Sequence, residues 1–134
     1  MEKNIMKTPK TRGNATLKID DAAHAFRKYS RLGLDGSRLR VFEAYQRIRG
    51  VCKSDEEAMR LLGVYDMMRL LQITDAESAE AVRAVYFAER GRSPQKNQIS
   101  ERVLRFAFEH NCDQRTVYRR LKAAKELYYR LISR

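Results

Sequence analysis

The sequence has no tryptophan, only two prolines (Pro9 and Pro94) and only two cysteines (Cys52 and Cys112) among its 134 residues. So few helix breakers, in a chain rich in Ala, Leu, Arg and Glu, favour helices over a sandwich or barrel. There is no Cys-x-x-Cys pair, and histidine is limited to His24 and His110, which argues against a structural zinc site. Both cysteines read as small apolar residues. No apolar run approaches the roughly 18 residues needed to span a bilayer, and the first residues lack the hydrophobic stretch of a secretory signal. The expectation is a cytoplasmic protein without a membrane partner. Nucleophile elbows, Walker loops, Gly-rich dinucleotide turns and His-Glu-x-x-His are all missing, so neither catalysis nor a cofactor or metal is expected.

What the chain has in excess is positive charge. It carries 28 Lys and Arg against 17 Asp and Glu, a formal net charge of +11, which points to a polyanionic partner. The excess is uneven. Residues 1–53 hold 13 basic and 5 acidic side chains, residues 54–89 hold 3 and 8, and residues 90–134 hold 12 and 4. Two basic segments flank an acidic middle, so a polyanion is expected at the ends of the chain.

Hydrophobic spacing predicts an all-α chain of six to seven helices. Residues 1–18, with Lys3, Lys7, Lys10, Arg12 and Lys18, read as a flexible basic arm. A first helix is expected from Asp21 to Leu32, ended by Gly33 in a left-handed turn. After an Asp35-Gly36-Ser37 loop, a second should run from Arg38 to Arg49, closed by Gly50, with Val41, Phe42, Tyr45 and Ile48 on one face. Ser54 and Glu57 form a capping box for the third. Gly63 is expected to break it before a short Met- and Leu-rich helix from Asp66 to Gln72. Thr74 and Glu77 suit a second capping box, opening a helix to Arg90 that buries Ala79, Val82, Val85 and Tyr86. Met59, Met67 and Met68 read as core. The acids Asp55, Glu56 and Glu57 suit the positive end of a helix dipole better than a metal. Gly91-Arg92-Ser93-Pro94 marks a linker, which divides a helical scaffold or partner domain (19–90) from a C-terminal unit (91–134), with Ser93 and Pro94 suited to start the next helix.

That unit carries the clearest pattern. Two helices that cross steeply need a small residue at the contact, and Ala107 supplies it. A tight turn four residues on needs a residue tolerant of positive φ, which is Asn111; Cys112 then plugs the corner and Asp113 caps the last helix, expected from Gln114 to Ile132. Val117 and Leu121 anchor that helix. Val117, Leu121, Ala124, Tyr128 and Leu131, spaced four, three, four and three apart, form a narrow apolar seam, long enough for packing within the chain, pairing with a second copy, or both. Arg115, Arg119 and Lys122 lie on another face, beside Tyr118. His110, at the end of the preceding helix, reads as a packed or capping histidine rather than a base.

Residues Val103 to Leu121 resemble the helix-turn-helix of bacterial regulators, and Arg115-Thr116-Val117-Tyr118-Arg119-Arg120-Leu121 is similar to the start of a recognition helix of the sigma-factor region-four type and of the ArpU- and RinA-type activators of phage late genes. The resemblance covers about a third of the chain and implies a sequence-specific regulator of transcription, of a phage or mobile element, that binds double-stranded DNA, with RNA polymerase and a second copy of the chain as further partners. Carried over by position, it implies Gln114, Arg115, Tyr118 and Arg119 as DNA contacts and Thr116 as a phosphate contact. By chemistry, Gln114 suits adenine, Arg115 or Arg119 suits guanine, and Arg120, Lys122, Lys125, Arg102 and Arg105 suit phosphates. The competing reading is a helical adaptor, such as a phage packaging or replication component of the small-terminase kind, using the acidic middle for a partner. RNA recognition by stacking is less well supported, because the tyrosines sit at buried helical spacing.

Overall fold

The computed structural model describes residues 21–34, 40–89 and 91–133. The expected basic arm and the loop at 35–37 lie outside them, as do Arg38 and Arg90 themselves. Arg40 is still extended and residues 87–89 are no longer helical, so the second helix begins later than expected, at Val41, and the helix expected to reach Arg90 stops at Tyr86. Six helices and no strand occur among the described residues: α1 (residues 21–31), α2 (Val41–Val51), α3 (Asp55–Thr74), α4 (Ala76–Tyr86), α5 (Lys96–Glu109) and α6 (Gln114–Ile132). The protein is all-α. None of these helices is long and apolar enough to cross a membrane.

The helix ends obey local chemistry. At the end of α1 the amide of Leu34 donates to Tyr29 O and that of Gly33 to Ser30 O, with Gly33 at φ 72°. This is the left-handed stop that glycine permits without a Cβ clash. Ser54 accepts from the Glu57 amide at 3.1 Å, and the Glu57 carboxylate reaches back to the Lys53 amide at 2.8 Å. The third helix is thus capped as expected, except that the reciprocal bond falls one residue earlier. The second capping box is corrected: Asp75, not Thr74, caps α4, accepting from the Ser78 amide and, at 2.6 Å, from its hydroxyl. Thr74 instead donates its hydroxyl to Leu70 O. α5 begins after Gln95 rather than at Ser93 and Pro94, and the Gln95 amide donates to the Gln98 side chain at 2.8 Å.

Four further expectations fail, three of them because tertiary packing overrides local signals. Gly63 does not break α3, which runs unbroken through it. The glycine is buried where α6 crosses, and a side chain there would collide with Ile132 and Tyr128. Leu61 to Val64 are therefore continuous helix. Gly50 lies inside α2 and does not close it. The buried face of α2 is Ala44 and Ile48, while Val41 and Phe42 stay exposed, because α2 packs on α3 alone among α2 to α6 and has only one side covered. Met67 and Met68 are core, as expected, whereas Met59 is about half exposed.

α3 and α6 form the middle of the structure. α6 packs on α3 and α4, α5 packs on α4 and α6, and α4 also packs on α3. The apolar interior runs without a break across the 87–95 connection. Phe26 of α1 meets Tyr86 of α4 edge-on at 5.3 Å and Tyr128 of α6 at 5.7 Å. Such aromatic pairs add about 1 kcal/mol each beyond area burial. Ser30, itself buried, donates its hydroxyl to Arg92 O at 2.7 Å, while its carbonyl accepts from Gly91. The α1 end and the α4–α5 connection are thereby bonded together.

Candidate nucleic-acid interface

α5 and α6 meet at a four-residue corner built by the residues expected to build it. The Cys112 amide donates to Ala107 O at 3.0 Å and the Asn111 amide to Phe108 O at 3.4 Å, with Asn111 at φ 54°. These are the two bonds of a Schellman stop, with asparagine in the left-handed position. Cys112 is half-buried against the core. His110 caps α5, stacks on Phe106 at 3.8 Å, and places Nδ1 3.0 Å from Phe106 O and Nε2 3.9 Å from Glu80.

Asp113 then opens α6. Its Oδ1 accepts from the Thr116 amide at 2.8 Å and from the Thr116 hydroxyl at 2.9 Å. Both bonds favour the charged carboxylate and hold its pKa below the ordinary aspartate range, helped by the charges of Arg115 and Arg119.

The seam of α6 is buried as spaced: Val117, Leu121, Ala124 and Tyr128 are core, and Leu131 is half-buried. α3 and α4 cover it within the chain. At 100° per residue, Arg115, Arg119 and Lys122 fall on the opposite side of the helix, and all three are exposed. None of them has an ion-pair partner among the described residues. Gln114 is exposed beside them, and Tyr118 is about half exposed on the flank. Arg105 of α5 is also exposed and without an ion pair among the described residues. Glu126, outward on the same line, ends the cationic stretch after its second turn.

The remaining expected contacts are placed differently. Arg102 donates to Val85 O at 3.0 Å and pairs with Glu89 at 3.1 Å, its side chain nearly covered. It joins α5 to the end of α4 and is not presented outward. Thr116 has both its donors on Asp113, so it has none left for a phosphate. Arg120 faces α4, 3.6 Å from Glu77, and Lys125 lies over the Tyr86 ring at 5.7 Å. The outward set therefore reduces to Gln114, Arg115, Tyr118, Arg119, Lys122 and Arg105.

Two features had not been singled out in the sequence. Leu104 and Phe108 project from the side of α5 opposite Ile99, Val103 and Phe106, and Phe108 is 84% exposed. Their i, i+4 spacing was the available signal. The start of α4 also supplies Glu77 and Glu80 to Arg120 and His110, so part of the acidic middle sits against the corner. Among the described residues no group of His, Cys, Asp and Glu side chains could hold a metal ion. Comparison with protein-family models, with curated proteins and with solved structures finds no match for this chain.

Proposed function

We propose that the protein is a sequence-specific double-stranded DNA-binding regulator of transcription, with the first two turns of α6 received by the major groove. One observation carries this reading. Directly after a tight corner, α6 presents Arg115, Arg119 and Lys122 outward, none of them in an ion pair among the described residues, while its opposite side is locked into the core. A groove is about 12 Å wide and admits one helix, and guanidinium groups at its tip can pair with guanine. Gln114 and Tyr118 offer the polar contacts that charge alone lacks, and Arg105 is a phosphate contact from α5. Origin in a phage or mobile element rests on the resemblance of residues 103–121.

Substituting Arg115 and Arg119 together by Ala tests the reading. Helical content should be unchanged, and affinity for a duplex selected from a random library should fall about a hundredfold or more, on the order of 1–3 kcal/mol per lost base contact. Wild-type affinity should also drop steeply as salt rises. Retained selectivity in the double variant would move the reading surface elsewhere.

A second reading, a helical adaptor, is favoured by the bare Leu104–Phe108 face of α5, which suits a protein partner such as RNA polymerase or a second copy of this chain. An adaptor without DNA function would show little duplex affinity at about 0.15 M salt.

A further inference from the structure

The clefts of this fold differ in how their cations are compensated. Between α1 and α3, Lys28 and Arg60 share the walls with Asp21, Glu56 and Glu57. Arg49 lines a cleft between α2, α3 and the end of α6 together with Asp55 and Asp66. Arg49 and Lys53 line another at the start of α3, again with Asp55. The cleft between α1 and the start of α5 is different. Its walls are Ala23, Arg27, Ser93, Pro94, Gln95 and Lys96, two cations and no acid, around a volume of about 520 Å³.

Three features of these walls point to a missing anion. The Nε of Arg27 is buried and has no hydrogen-bond partner among the described residues, and neither Arg27 nor Lys96 has an ion pair there. A guanidinium donor taken from water and left unbonded is unfavourable. Of α2 to α6, α5 is the helix with no carboxylate on its cap or in its first turn. Its first residue is instead Lys96, a cation set on the positive end of the helix dipole. The walls are also fixed in place. Ser30, one turn beyond Arg27, donates its hydroxyl to Arg92 O and accepts from the Gly91 amide, which fastens the segment before Ser93 to α1.

Charge decides which anion fits. Two side-chain charges and a helix end worth about +0.5 amount to roughly +2.5. A carboxylate or a phosphodiester brings one negative charge and leaves most of this unbalanced. A phosphate monoester brings about −1.5 to −2 and three strong acceptor oxygens, enough for the planar fork of Arg27, the point charge of Lys96 and the first amides of α5. The volume lies within the range of small-ligand sites, about 300–1,000 Å³, and Ala23 and the buried Pro94 offer an apolar wall to the esterified group.

We propose that the cleft between α1 and the start of α5 binds the phosphate of a small phosphate monoester, held by Arg27, Lys96 and the first amides of α5. It lies roughly 20 Å along α5 from the α5–α6 corner, and it does not depend on the reading of the chain as a duplex binder.

The test uses the full isotope-labelled chain at about pH 7.5, where a monoester is doubly charged. Inorganic phosphate, methyl phosphate and dimethyl phosphate are the probes, each against sodium chloride of equal ionic strength. Inorganic phosphate and methyl phosphate should shift the amide signals of Lys96 and Asn97 and the Arg27 Nε–H signal in a saturable way, in the millimolar range. The singly charged diester should bind about tenfold more weakly. Lys96→Glu, at an exposed position, should weaken phosphate about tenfold with helical content unchanged. Lys53→Glu, the same charge change outside the cleft, should leave phosphate binding within about twofold. Arg27→Lys, which keeps the charge and removes the fork, should weaken it about threefold. Shifts reproduced by chloride, equal affinity for the diester, or equal weakening by the two Lys→Glu variants would each overturn the proposal. Weakened duplex binding in Lys96→Glu, with neither phosphate nor methyl phosphate saturating these signals, would overturn it in favour of a contact to the DNA backbone. The α6 reading is tested separately by R115A/R119A and survives any of these results.

Discussion

Gly63 of α3 lies so close to Ile132 of α6 that a Cβ at residue 63 would overlap the Ile132 Cγ2 methyl and stand 3.2 Å from Tyr128 Cε1. The glycine is what lets α6 lie down on α3. Gly63→Ala should therefore destabilise the fold by about 1–2 kcal/mol, even though alanine is the better helix former by about 1 kcal/mol. Gly63→Leu should cost more still. Chemical denaturation reads both, and a gain in stability from alanine would show that the helices cross with room to spare.

Tyr128 sets an alkaline limit. Burial pushes its phenol up to about 12, and its hydroxyl has no hydrogen-bond partner among the described residues. A folded pKa above the unfolded value of about 10 means that the neutral ring's contribution is complete below pH 10 and disappears as pH rises toward 12. Tyr45, Tyr86 and Tyr129 are shifted the same way, by burial first. Tyr128→Phe should leave neutral-pH stability equal or higher by up to about 1 kcal/mol, since an unbonded buried hydroxyl is costly. It should also make the loss above about pH 10 shallower. A neutral-pH penalty above about 1 kcal/mol would mean that the hydroxyl is bonded in solution.

Arg102 and Arg105, three residues apart on α5, should separate stability from binding. Arg102→Ala removes donors to Val85 O and Glu89 and should cost about 2 kcal/mol of stability. Arg105→Ala should leave the melting temperature unchanged and lower duplex affinity with a smaller salt dependence. Parallel melting and binding curves distinguish them.

The corner can be probed through its two special residues. Asn111→Gly should be neutral or stabilising, and Asn111→Val should cost about 1–2 kcal/mol, because only the latter resists positive φ. Asp113→Ala should lower the melting temperature. Since the Asp113 carboxyl titrates below its ordinary value, its contribution is present above about pH 4 and lost as pH falls through the lower folded pKa. The variant's melting temperature should accordingly be flatter in acid than that of the wild type.

The same residues show how much could be read in advance. Gly33, Asn111, Asp113 and Ser54 act through bonds to residues a few positions away, so sequence revealed them directly. The seam from Val117 to Tyr128 was legible because periodicity reports burial. Gly63 was misread because its role depends on Ile132, distant in sequence, and an isolated glycine in a helical pattern looks the same as a breaker. Phe42 and Met59 were misassigned because apolar character does not tell which side of a helix a neighbour will cover. In the candidate site, the outward arginines Arg115 and Arg119 were legible from spacing. The diversion of Arg102 and Arg120 to Glu89 and Glu77 was not, since those acids lie outside the helices that carry the arginines.

The bonds from Ser30 to the turn after α4 have a mechanical consequence. They tie the segment leading into α5 to the end of α1, so the helices that carry the cationic corner cannot part from α1 without breaking them. Heating should then undo the whole molecule in a single transition, and a duplex seated on α6 should raise the temperature at which α1 unravels.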